Sequence, residues 1–360
     1  MASVTYKPAF TVQYNGRTIT DDVARFLIAL TYTDRVSGQS DELQLELDDT
    51  DGRWRAGWMP AKGDKLVVGI GDGTAFVNAG TFEVDEIEYE TPPDKLILRA
   101  VAAGMKKAVR TRNSTAHEAK TLGQIAQAIA DKNGFTLEGE IEDIQIARAT
   151  QHRETDLAFL RRLADTYGYV FSVRDAVMTF YNIFQLEANA AAVTLTPADF
   201  TRCQVRIKSE GTYEKTRVAS RNPSKNEVVE TEYVGASADN ADGIPFSQVV
   251  AGDTQVINNR TEDAGQADRK AKAAHHKANS REVTASLEMG GRPLMVAGNN
   301  FALHGMGEFS GVFHIEESVH TITRNGYTTS VSCKKVNTVP ADARGRVSDD
   351  PVPPAQLAQI

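Results

Sequence analysis

Cysteine is nearly absent from this 360-residue chain, where Cys203 and Cys333 stand alone and far apart. Two distant thiols cannot form the disulfide framework of a small secreted domain. No apolar leader precedes Tyr6, so synthesis in a cytoplasm is the expectation. No apolar run approaches the roughly 18 residues that a membrane helix needs, which points away from a membrane partner. Positive charge is in deficit as well. Forty basic residues face 48 acidic ones, a net charge of −8, and strands that interleave basic with aromatic residues are scarce. A protein whose main work is gripping phosphate backbones carries the opposite balance, so no specific nucleic-acid partner is expected.

Catalytic motifs are missing too. There is no Gly-x-Ser-x-Gly, no phosphate loop and no His-Glu-x-x-His. Asp49-Thr-Asp51-Gly52 has the look of a calcium loop, but the first ligand position falls on Leu47 and the twelfth on Trp58, so it reads as a solvated turn. Gly69-Ile-Gly71-Asp-Gly73 follows a strand with no helix behind it to present amides to a phosphate, and reads as a hairpin. His314 and His320 sit at opposite ends of one predicted strand. His275 and His276 are adjacent on a predicted helix, so neither pair shares a face at metal-ligand spacing. Carboxylates are abundant, yet none lies in an apolar stretch that would obviously raise its pKa. The expectation is no catalytic, metal or cofactor site.

What the chain does have is short alternating strands, 27 glycines, 41% apolar and 24% charged residues, a soluble globular composition with length for two or three domains. Phe10 to Tyr14, Phe26 to Tyr32, Leu43 to Leu47, Leu66 to Ile70, Thr81 to Tyr89 and Leu96 to Val101 are separated by turn residues. This pattern predicts an antiparallel barrel. The stretch Gly80-Thr-Phe82-Glu-Val84-Asp-Glu86 then returns as Gly311-Val-Phe313-His-Ile315-Glu-Glu317. Phe82 and Val84, like Phe313 and Ile315, would share one strand face. Pro60, Gly63 and Lys65 to Val68 come before the first copy; Pro293, Gly298 and Asn300 to His304 come before the second. The order is the same, and it suggests one β unit carried twice; the alternative is chance reuse of Gly and Phe in hairpins.

Between the copies the pattern turns helical. Lys106 to Ser114 reads as a solvated basic connector. Thr121-Leu-Gly-Gln124 has capping-box spacing before a stripe of Leu122, Ile125, Ala126 and Ile129 that stops at Gly134. A second helix runs from about Thr155 to Tyr167-Gly168 with Leu157, Leu160, Leu163, Ala164 and Tyr167 on one arc, leading into the hairpin Tyr169 to Tyr181. Strands are expected over Cys203 to Ile207, Glu214 to Ala219 and Glu227 to Tyr233, with a loop from Gly235 to Gly252. A helix from Thr261 to Ser280 has Ala264, Ala267, Ala271, Ala274 and Ala278 at alternating spacings of three and four, a seam for close approach to another helix or a sheet.

The segment Gln151-His-Arg-Glu154-Thr-Asp156-Leu-Ala-Phe159-Leu-Arg-Arg162-Leu163-Ala-Asp-Thr-Tyr-Gly168-Tyr-Val-Phe171 resembles the signature of the phage late-control protein D family, tail baseplate hubs similar to the hub half of VgrG proteins. The family's Gln, Glu-Ser/Thr-Asp start, Phe, Arg-Leu pair and Gly before an aromatic strand occur here in order. The resemblance extends over about residues 5 to 338, with the 151–171 segment its most specific part.

It implies a mainly β fold with an α+β insertion: two tandem antiparallel β-barrels of tail-tube type and a helix-containing middle domain. The corresponding division is 1–105 for the first barrel, 106–195 for the middle domain and 196–340 for the second barrel, with 222–281 inserted and packed on the middle domain. Residues 341–360 form a Pro-rich tail. The implied function is a structural hub of a contractile phage tail or phage-tail-like bacteriocin, made in the host cytoplasm and then built into the baseplate. Three copies would adapt the sixfold tail tube to the threefold central spike. Implied partners are two further copies, the tail tube, the tape-measure protein, baseplate wedge proteins and a separate spike, since no fused spike follows the tail. The competing reading is a tail-associated peptidoglycan hydrolase.

Overall fold

The computed structural model describes residues 9–36, 40–73, 75–103, 111–174, 176–208, 211–222, 227–234, 253–258 and 261–336. Most of the Lys106 to Ser114 stretch, the Gly235 to Gly252 loop and the Pro-rich tail lie outside these residues.

The first β unit comprises β1 (Ala9–Tyr14), β2 (Arg17–Thr18), α1 (Thr20–Phe26), β3 (Leu27–Arg35), β4 (Glu42–Asp48), β5 (Lys65–Gly71), β6 (Phe76–Glu90) and β7 (Lys95–Ala102). Its alternating apolar residues mostly turn inward. Leu30, Tyr32, Leu43, Leu45, Leu47, Leu66, Val68, Phe82, Val84, Leu96 and Leu98 form one core. Each buried leucine contributes on the order of 2 kcal/mol, so this core and not the surface ion pairs holds the unit.

The middle unit begins with β8 (Arg112–Thr121), α2 (Leu122–Asn133), β9 (Thr136–Glu138), β10 (Gln145–Thr155), α3 (Asp156–Tyr167), β11 (Tyr169–Arg174), β12 (Val177–Asn182) and α4 (Ile183–Ala188). Strand β8 pairs with β10 in a two-stranded ribbon. Of the Lys106 to Ser114 stretch read as a connector, Arg112–Ser114 belong to this ribbon: β8 is polar and largely exposed, so it has no apolar face to betray it. Helix α2 has its capping box, with Gln124 N donating to Thr121 Oγ1 at 3.1 Å and Thr121 N to Gln124 Oε1 at 3.0 Å. Gly134 ends the helix in the left-handed region, φ +72°. Helices α2 and α3 and strands β11 and β12 share a second core around Ile125, Phe159, Leu160, Phe171 and Phe180. Leu157 is only half-buried and Phe159 takes the central place.

The second β unit comprises β13 (Val193–Leu195) and β14 (Arg202–Ile207), then β15 (Lys215–Asn222), β16 (Glu227–Val234), β17 (Thr254–Ile257) and α5 (Ala264–Asn279), and finally β18 (Val283–Gly290), β19 (Asn300–Leu303), β20 (Gly311–Thr323) and β21 (Gly326–Lys335). Strands β15 to β17 make a separate three-stranded sheet between β14 and β18 in the chain. The two ends of that excursion meet where Lys208 N donates to Glu282 O at 2.8 Å. Helix α5 covers the small sheet with Ala267 and Ala271, both fully buried against Val218, Val229, Tyr233 and Ile257. Ala264 is exposed and Ala274 and Ala278 only half-buried, so the continuous alanine seam contracts to two residues. Ala273, on another face, is buried instead and lies against Gly168, which ends α3.

The two β units are joined in one 13-stranded sheet, because β20 forms a ladder with β3. Within it the first unit has the order β3-β4-β7-β6-β5-β1 and the second β14-β18-β21-β20-β19-β13. The registers coincide. Leu66 faces Phe82 and Val68 faces Gly80, as Phe301 faces Phe313 and Leu303 faces Gly311. Val84 faces Ala100 just before a bulge that ends at Glu86, and Ile315 faces Cys333 just before a bulge that ends at Glu317. Even the incoming turns match. Gly63 N donates to Val84 O, Gly298 N to Ile315 O, and these glycines have φ of +88° and +91°. The far edge differs, for β1 runs antiparallel to β5 while β13 runs parallel to β19.

Candidate functional site

The signature residues fold the junction between β10 and α3. Thr155 caps α3, accepting from Ala158 N at 3.2 Å. That turn places Asp156, fully buried, where four donors converge on its carboxylate: Asn113 at 3.1 Å, Lys132 at 2.8 Å, Asn133 at 3.2 Å and Gln151 at 3.0 Å. Burial alone would raise this carboxyl; the hydrogen bonds from Lys132, Gln151, Asn133 and Asn113 outweigh it and hold Asp156 at about 2. Asp156 thus ties β8, α2, β10 and α3 together. Glu154 sits beside it on the surface and pairs with Arg162, whose Nη2 lies 2.6 Å from Glu154 Oε1 and also donates to Thr150 O at 2.9 Å. Phe159 is fully buried and stacks on His117 with ring centroids 5.3 Å apart, while Leu163 and Phe171 complete the core. Gly168 has φ +78°, and a Cβ there would lie 3.1 Å from the Phe184 ring and 3.4 Å from Ala273.

The repeat residues are structural in the same sense. Phe82, Val84, Phe313 and Ile315 are core, and Gly80 and Gly311 have φ of +100° and +144°. Glu86 pairs with Arg99 at 3.1 Å, and Glu317 with Arg35 at 2.8 Å.

Two buried charge clusters escape a reading of the sequence. Arg174 on β11 reaches into the first β unit, donating to Asp34 at 2.7 Å and pairing with Asp41. The other oxygen of Asp34 accepts from Ala297 N at 3.0 Å, so all three units meet there. Burial and then the adjacent Asp41 push Asp34 up to about 6 despite Arg174. No apolar stretch around Asp34 announces this shift, for the burial comes from distant chain. A cleft of about 240 Å³ opens beside the cluster, lined by Arg35, Asp41, Leu157, Arg161 and Arg174 among others. In the second cluster Glu187 of α4 takes His276 of α5 at 2.8 Å and Lys334 of β21 at 2.7 Å. Burial opposes the charge on Glu187, yet His276 and Lys334 hold it at about 2. Behind it Asn300 Oδ1 lies 2.8 Å from His314 Nδ1, and burial, with Lys334, pushes His314 down to about 4.

Asp156 and Glu187 are therefore saturated by fixed donors, the opposite of what a general acid or base needs. Among the described residues no three His, Cys, Asp or Glu side chains converge as metal ligands. The chemistry here is the welding of three units into one body.

A large antiparallel sheet joined to such a helical unit is a fold shared with two solved structures. The 43 kDa tail protein of prophage MuSo2 from Shewanella oneidensis superposes with a TM-score of 0.68 at 13% identity, over 92% of this chain and 99% of that one. A type VI secretion system component of E. coli superposes with a TM-score of 0.53 at 12% identity, over 91% of this chain and 77% of that one. The chain belongs to the phage tail baseplate hub (GPD) family, whose model matches residues 73–326. The probable baseplate hub protein of Escherichia phage 186 is 34% identical over 224 residues, 59% of this chain and 56% of the relative. That of Escherichia phage P2 is 32% identical over 219 residues, again 59% and 56%. The chain thus spans about half the length of the curated relatives it matches.

Proposed function

We propose that this chain is the structural hub of a contractile tail, of a phage or a phage-tail-like bacteriocin, and acts as a homotrimer between a sixfold tail tube and a threefold spike. The observation that carries the reading is the repeat of strand order, register and bulge between the two β units. A single chain that presents one fold twice lets three chains present it six times, so a threefold body can meet a sixfold one without distortion of either. Each unit would complete a tube-type barrel in the assembled ring. The middle unit, riveted to both β units by Arg174 and Glu187, would form the face toward the spike. Tube, tape-measure, wedge and spike proteins are the partners of this reading, and the baseplate of the particle is its place. Light scattering of the purified full chain tests it: a mass of three chains that co-elutes with the spike and tube proteins is expected. A single-chain mass at all concentrations, with no uptake by either, overturns it.

A further inference from the structure

The repeat contains one ladder that is filled in one unit and empty in the other. In the second unit β20 continues past its bulge, and Glu317 to Thr323 form a ladder with β3 of the first unit: Glu317 faces Arg35, Val319 faces Thr33 and His320 faces Tyr32. The first unit has the same extension, Glu86 to Glu90 of β6, paired to β7 on one side only. Among the described residues no ladder occupies its other edge. Strand β14, the counterpart of β3, likewise ends the sheet, and among the described residues it pairs only with β18. One chain therefore ends in one half of a joint at β6 and the other half at β14.

We infer that β6 of one copy pairs antiparallel with β14 of the next, repeating between chains the β20–β3 ladder found within a chain. The repeat dictates the register. Carrying the shared pairings across places Glu86 opposite Lys208, Ile87 opposite Ile207, Glu88 opposite Arg206, Tyr89 opposite Val205 and Glu90 opposite Gln204. The side chains fit that register on both faces. One face aligns Glu86 and Glu88 with Lys208 and Arg206, the same sense of pairing as Glu317 with Arg35 inside the chain. The other face aligns Ile87 and Tyr89 with Ile207 and Val205. Ile207 is 50% exposed at an open strand edge, an arrangement that invites a partner strand. Because the two edges differ, the contact is head-to-tail, and such contacts close into rings when the rotation allows. The inference rests on the multi-copy hub reading and deepens it by naming the surface and register.

The test is a charge exchange on the full chain, read by sedimentation. Glu86→Arg with Glu88→Arg on one edge, or Arg206→Glu on the other, should each yield folded single chains with affinity between copies reduced tenfold or more. The exchange of both edges together should restore much of the assembly. In a Cys203→Ser background, Tyr89→Cys with Val205→Cys should cross-link neighbouring chains on mild oxidation, a readout that does not depend on the charge variants folding. A trimer that is indifferent to the charge changes and yields no cross-link overturns this inference and leaves the hub reading standing. A wild-type chain that never associates removes both.

Discussion

At the residue scale, the signature acts through one carboxylate. Replacement of Asp156 by alanine takes one acceptor from each of the Gln151 and Asn133 amides, which keep Glu154 O and Ile129 O, and releases Lys132, so a loss of about 2–4 kcal/mol is expected in urea unfolding. The buried histidines add a pH dependence of definite sign. His314 and His320 are both pushed down to about 4, mainly by burial. Between about 6.5 and 4 the unfolded chain binds protons that these folded residues refuse, so stability present above 6.5 is lost as pH falls through that window. Asp34, raised to about 6, works in the opposite sense between 6 and the ordinary carboxylate range, because its folded form takes the proton first. Two histidines against one aspartate leave a melting temperature that drops by several degrees between pH 7 and 4.5. His320→Gln should flatten that slope in a calorimetric pH series; an unchanged slope would show that His320 does not carry it. Asp156 and Glu187, held at about 2, add their own loss only at lower pH.

At the scale of elements, helices α2 and α3 were legible, while α1, α4 and the ribbon were not. Thr121, Gln124 and Gly134 bound α2 by local hydrogen bonds, and Thr155 and Gly168 bound α3, so the cues lie within a few residues of the structure they specify. Strands β8 and β10 pair across 24 or more residues through backbone groups with little apolar periodicity, and nothing local marks them. Helix α5 lies between these cases. Its alanine spacing announces close packing, but which alanines are buried depends on two neighbours, the β15–β17 sheet and the end of α3. Ala271→Leu should force that sheet away and lower stability by about 1–3 kcal/mol, measured by chemical denaturation. An equal change at exposed Ala264 should do little.

At the scale of the whole molecule, the β20–β3 ladder joins the two β cores, and Arg174 with Asp34 and Asp41, like Glu187 with Lys334, ties the middle unit to them. Arg174→Ala leaves two buried carboxylates face to face, so a loss of about 3–5 kcal/mol is expected at neutral pH. The loss should shrink as pH drops toward 5, because protonation of Asp34 relieves the repulsion. Unfolding curves at pH 7.5 and 5 check this; a deficit independent of pH would mean that the arginine acts by packing alone. Displacement of the middle unit must break buried ion pairs to both β units.

The sequence by itself determined the two like β units, the capped helices and the likeness to tail hubs, because strand alternation, caps and the Gly80 and Gly311 turns are written in neighbouring residues. Only the tertiary structure decided that the units share one sheet through β20 and β3, and that Asp34, Asp156 and Glu187 are buried in fixed networks. Most of their partners arrive from chain tens to hundreds of residues away, and neither strand-to-strand register nor desolvation is encoded at the position that experiences it.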